Sequence, residues 1–121
     1  MAHTMDDRMR RCIDECSSCR DICLETVTHC LQMGGRHAAA DHIGALLDCA
    51  DACELAAKYM LRSSSLHQSS CSMCADACDA CARSCDTMGE DELMRRCAEE
   101  CRRCADSCRQ MAGARQASSS R

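Results

Sequence analysis

The chain has 121 residues, a formal net charge of −4, sixteen cysteines, one Tyr, and no Phe, Trp or Pro. Leu, Ile and Val together number only 12, so a conventional aliphatic core is excluded, and Cys, Met and Ala must supply the buried apolar surface. An acidic chain with one aromatic has neither a basic stripe nor a stacking platform for nucleic acid, and no segment approaches the roughly 18 apolar residues of a membrane span.

Taken in order, the first segment predicts a helix over about 6–33, ended by Gly34 and Gly35, which supply the left-handed backbone that commonly stops a helix. It carries Cys12, Cys16, Cys19, Cys23 and, two turns on, Cys30. A second helix is expected over about 37–62, with Cys49 and Cys53, leading into Ser63-Ser64-Ser65 with a serine as the next N-cap. The third, about 66–88, holds Cys71, Cys74, Cys78, Cys81 and Cys85 and stops at Gly89. The fourth, about 91–111, opens on Asp91 and Glu92, which suit a helix N-terminus, and holds Cys97, Cys101, Cys104 and Cys108. Residues 113–121 read as a flexible polar tail.

Cysteines three and four apart share one stripe of a helix, because an α-helix has about 3.6 residues per turn. Glu92 with Arg95 and Arg96, and Glu99 and Glu100 with Arg102 and Arg103, mark an opposite, solvated face. Short connections make successive helices antiparallel neighbours. The expected fold is therefore all-α: one domain, residues 1–121, as an up-down-up-down four-helix bundle with a cysteine-lined core. Cys12, Cys71 and Cys108 fall toward one end and Cys30, Cys85 and Cys97 toward the other.

The thiol lining points to metal. CxxxC pairs occur in all four helices, and each places two thiols one above the other within reach of a single ion. A thiolate is the ligand form, so a filled core gathers up to sixteen negative charges in a dry space. A soft monovalent cation neutralises them at about one ion per sulfur, whereas separate zinc sites of four cysteines each keep a double negative charge. Cu(I) is the best match, with multiple ions per chain. The Glu and Glu-x-x-His set of di-iron bundles is absent from the stripe, as are CxxCH and ferredoxin-type runs. No catalytic residues are visible, and the chain is not expected to be an enzyme.

Extending each stripe by one or two turns reaches Met33, His42, Met60, His67, Met88, Met94 and Met111, neutral ligands suited to an entrance or an auxiliary site. Methionine is also an ordinary filler of core gaps, and His at a helix end is often a cap. Ile13, Leu24, Val27, Leu31, Ile43, Leu47, Leu55 and Leu61 lie beside the stripes, either widening the inner face or forming a seam between bundles.

The span from about Asp6 to Met111 resembles the small cysteine-rich four-helix-bundle family of bacterial cytosolic copper storage proteins. The resemblance rests on Asp41-His42-Ile43, Asp48-Cys49-Ala50-Asp51-Ala52-Cys53, Leu66-His67, the Cys71–Cys85 run and the closing Cys97 to Cys108 pattern. It implies a bundle that holds many Cu(I) ions through core thiolates, commonly as a homotetramer. It favours the mouth near Met33, His37, His42, Met88 and Met94 as the way in. Copper ions and a copper chaperone are then the partners, with no membrane and no nucleic acid. The N-terminus shows no secretory signal, which places the expectation in the reducing cytoplasm, where many cysteines point to metal before disulfides. A thiol redox buffer or sensor, and a zinc-buffering protein, stand as alternatives. A core of thiols buries less apolar area than one of Leu, so the apo bundle is expected to be weak and metal-stabilised.

Overall fold

The computed structural model describes residues 6–119, with side chains through Gly113. It contains four long helices: α1 (Asp7–Met33), α2 (Ala40–Leu61), α3 (His67–Asp86) and α4 (Glu92–Ser119), with a single 3-10 turn, Gly35–Ala38, between the first two. Each helix packs against its sequence neighbours and α4 closes onto α1, while the diagonal pairs meet only through side chains at the axis. This is the four-helix bundle expected from the spacing. Among the described residues there is no strand.

The helix ends follow from local chemistry. Asp6 caps α1 by accepting a hydrogen bond from Met9 N at 2.8 Å, and Gly34, at φ +72°, ends it by donating its N–H to the Cys30 carbonyl. Asp91 caps α4: its Oδ1 accepts from the backbone N–H groups of Leu93 and Met94, at 3.0 and 3.3 Å. Such a cap satisfies amides that have no partner within the helix.

Three boundaries differ from the sequence expectation. The second helix begins at Ala40, not near His37, because the two glycines let the chain make a 3-10 turn. That turn is held outside the bundle axis by Arg36 donating to the Thr87 carbonyl and by His37 meeting Asp91. The third helix takes Leu66, not a serine, as its N-cap; Ser64 Oγ instead accepts from Leu66 N at 3.0 Å, and Ser63 turns the chain at φ +54°. The fourth helix continues to Ser119 in place of the tail expected from residue 113. Nothing there breaks it: Gly113 costs only about 1 kcal/mol relative to Ala, and the surrounding Ala, Arg and Gln are strong helix formers. The rest of that tail, residues 120–121, lies outside the described residues.

The core is sulfur and methyl groups. All sixteen cysteines are buried, and Ala50, Ala56, Ala75, Ala82, Ala98 and Ala105 fill the seams between helices. Leu46, Met60 and Met94 are the largest fully buried apolar side chains. Of the residues flanking the stripes, Ile13 is buried and Val27 and Ile43 pack against the core, whereas Leu24, Leu31, Leu47 and Leu61 are exposed.

Candidate metal centre

No cysteine thiol is accessible: fifteen are 0% exposed and Cys85 is 1%. Helix periodicity aims each stripe at the bundle axis, and the four stripes interleave there. Contacts between thiols run mostly across helices. Cys12 and Cys16 each lie 3.7 Å from Cys108, Cys19 lies 3.7 Å from both Cys49 and Cys101, and Cys49 and Cys78 are 3.6 Å apart. Cys53 is 3.6 Å from Cys74 and 3.8 Å from Cys104, and Cys23 is 3.9 Å from both Cys81 and Cys97.

Those separations fit a shared metal ion. With metal–sulfur bonds of about 2.3 Å, sulfurs sit roughly 3.8 Å apart around a tetrahedral ion and roughly 4.0 Å apart around a trigonal one. Groups whose ligand atoms all lie within 4.8 Å of one another succeed each other along the axis. They run from Cys12, Cys71 and Cys108, through Cys16, Cys74, Cys104 and Cys108, to Cys19, Cys53, Cys78 and Cys104. Next come Cys19, Cys23, Cys49 and Cys101, then Cys23, Cys81, Cys97 and Cys101. Adjacent groups share members, so a thiolate in one can bridge to the next. The sequence reading singled out CxxxC pairs within helices; the structure shows that most close partners come from different helices.

Electrostatics tie the row together. Cys49, Cys74, Cys97 and Cys104 are drawn below the usual thiol range, and Cys23, Cys53, Cys101 and Cys108 are pushed above it, in each case first by hydrogen bonding with neighbouring thiols. Cys19 is lowered to about 7, chiefly by its bond with Cys101. A thiolate in the row is favoured where a neighbouring thiol can donate a hydrogen bond to it. Emptying the row of protons requires cations to replace them.

The ends of the row differ. At one mouth, Cys30 Sγ is 3.4 Å from His42 Nε2 and 3.9 Å from Met94 Sδ. Burial, then the charge of Asp91, raises the Cys30 thiol to about 11. His42 is 1% exposed and is oriented by Ser84 Oγ, 2.6 Å from Nδ1; burial, then the nearby His37, lowers its pKa and favours the neutral, ligating ring. Met88 packs partly buried against the core, whereas Met33 is 56% exposed and stands outside this cluster. A cleft at this mouth is lined by Cys85, Asp86, Gly89, Glu90, Asp91, Glu92 and Arg95. At the far mouth Met60 and Met111 are buried, and His67 Nδ1 contacts the Ser64 carbonyl at 2.9 Å.

Sequence reasoning missed His29, one position before Cys30 and off the stripe. Its Nε2 lies 2.9 Å from Asp91 Oδ2, a pairing that links residues 62 apart and so leaves no local signal.

The sequence profile of the copper storage proteins matches residues 5–113. The chain belongs to the copper storage protein family. Solved structures similar to this family member include the Nmul_A1745 protein from Nitrosospira multiformis, 39% identical with a TM-score of 0.85, over 91% of this chain and 99% of the other. The Cu(I)-bound copper storage protein BsCsp3 is 34% identical with a TM-score of 0.81, covering 88% and 99% of the two chains. Apo-Csp3 from Bacillus subtilis is 35% identical with a TM-score of 0.75, covering 84% and 95%. The uncharacterised cysteine-rich protein YhjQ of Bacillus subtilis strain 168 is 35% identical over 72 residues, 60% of this chain and 67% of that one. What marks this copper storage bundle is a continuous thiol lining in place of discrete sites. No helix among the described residues is long and apolar enough to cross a membrane.

Proposed function

We propose that this chain sequesters many Cu(I) ions as cargo, held by the thiolates of Cys12, Cys16, Cys19, Cys23, Cys30, Cys49, Cys53, Cys71, Cys74, Cys78, Cys81, Cys85, Cys97, Cys101, Cys104 and Cys108. It does so without catalysis, as a cytosolic store or buffer that exchanges copper with a chaperone. One observation carries the reading: an unbroken row of buried thiols whose groups share members at metal-bridging separations. Shared thiolates suit monovalent ions that neutralise charge along a chain, and they suit isolated four-cysteine zinc sites poorly. A redox thiol works from an exposed, activated position, which none of the sixteen occupies.

The mouth containing His42 and Met94 is the better way in. It pairs neutral nitrogen and thioether donors with the last thiol, Cys30, beside the cleft that Asp91 lines. His67, Met60 and Met111 serve the opposite end as packing and capping groups, and Met33 and Met88 lie peripheral to the ligand set.

The test is removal of copper from the loaded protein by a Cu(I) chelator, in the presence and absence of excess Zn(II). Zinc should leave the copper in place, and His42→Ala with Met94→Ala should change the removal rate but not the capacity. Displacement by zinc contradicts the Cu(I) reading. Unchanged rates contradict this choice of mouth.

Exposed Leu24, Leu31, Leu47 and Leu61 give the bundle outer apolar faces, and we assign them to a homotetramer. Sedimentation at micromolar protein should show the assembly; a clean monomer removes this assignment.

A further inference from the structure

At the His42 mouth, outside the thiol row, three potential ligands from three different elements converge. His29 comes from the last turns of α1, His37 from the 3-10 turn, and Asp91 from the cap of α4. Both imidazoles direct Nε2 at the same carboxylate oxygen, Oδ2 of Asp91, at 2.9 and 3.1 Å. Their ring centroids are 6.0 Å apart and the planes are near perpendicular, at 79°. The other oxygen, Oδ1, is engaged by the α4 amides and fixes the carboxylate in place. Metal sites commonly hold their carboxylate ligands by hydrogen bonds of this kind.

The two imidazole–carboxylate separations fit a coordination shell. Ligands at about 2.0–2.1 Å from a tetrahedral ion are roughly 3.3 Å apart, close to the two Nε2–Oδ2 separations. Access is open as well: the His29, His37 and Asp91 side chains are 31%, 16% and 13% exposed, and Asp91 also lines the cleft at this mouth. Two imidazoles and one carboxylate, with a position left for water, are the donor set of zinc-class divalent ions, and the carboxylate oxygen favours such an ion over the softer Cu(I).

We propose that His29, His37 and Asp91 form a separate site for a divalent ion of the zinc class, distinct from the thiolate row. The bound ion replaces the imidazole protons that otherwise face Oδ2, and both rings bind through Nε2. Because the ligands belong to α1, the 3-10 turn and α4, the ion fastens the loop at this mouth to the bundle.

The experiment uses the full chain saturated with Cu(I) under anaerobic conditions, so that the thiolates are occupied, and Co(II) as a spectroscopic probe. We expect about one Co(II) per chain, with d–d bands of a nitrogen- and oxygen-ligated ion, no sulfur-to-cobalt charge transfer, and displacement by Zn(II). His29→Gln and His37→Gln keep an N–H donor for Asp91 but lose the imidazole ligand. Each should weaken Co(II) binding by at least about tenfold while leaving helicity and Cu(I) capacity unchanged. Absence of Co(II) binding below millimolar concentration, or binding equal to wild type in both variants, overturns the proposal. If the core fails to hold Cu(I), Co(II) enters it and displays sulfur charge transfer, so failure of the storage reading is seen separately.

Discussion

Glu100 is the residue whose position is hardest to account for by stability. It sits on α4, is 8% exposed, and its Oε2 is buried with no hydrogen-bond partner, although Oε1 accepts from Arg103 at 2.7 Å. Burial, then the neighbouring Glu15, raises its carboxyl from the ordinary 4.5 to about 8. A carboxyl raised in the folded state favours the fold while protonated. That contribution is complete below about 4.5 and is lost as pH rises through about 8. We therefore expect the apo protein to lose thermal stability between these pH values, and Glu100→Gln, which keeps the neutral form throughout, to flatten the loss. Thermal melts of both proteins across that range check it; parallel pH dependences contradict it. The charge pattern alone read Glu100 as part of a solvated face, because a helical period places it there and only tertiary packing against α1 covers it.

Among the elements, legibility tracked how local the cause was. The thiol stripes were fixed by a 3.6-residue period acting on Cys positions, and all sixteen lie where that period puts them, inside. Asp91 is legible as the start of α4 because an acidic residue suits a helix N-terminus, and the cap it makes there spans only two or three residues. The late start of α2 was not, since the 3-10 turn is stabilised by His37 and Arg36 reaching Asp91 and Thr87 across the mouth. The outer ion pairs divide the same way. Arg95 pairs with Glu92 and Glu99 on its own helix, while Arg102 turns to Asp86 of α3. Among the auxiliary ligands, extension of the stripe found His42 and Met94 beside Cys30, yet the same rule named Met33, which faces solvent. Periodicity gives the face of a helix, and the helix end decides whether that face still points inward.

At the scale of the whole molecule, the bundle trades apolar burial for ligands. Thiols and alanines bury less apolar surface than leucines at about 25 cal/mol per Å², so metal that binds only the folded chain adds stability through linkage. Because neighbouring groups share Cys19, Cys23, Cys101, Cys104 and Cys108, the core behaves as one lining and not as separable sites. That property makes capacity the quantity to measure. Anaerobic titration of the reduced protein with Cu(I), followed by thiolate-to-copper charge-transfer absorption, should rise linearly to roughly one ion per cysteine before free copper reaches an external chelator. Saturation at only one or two Cu(I) per chain, with the remaining thiols still open to titration, would contradict a continuous copper-holding core.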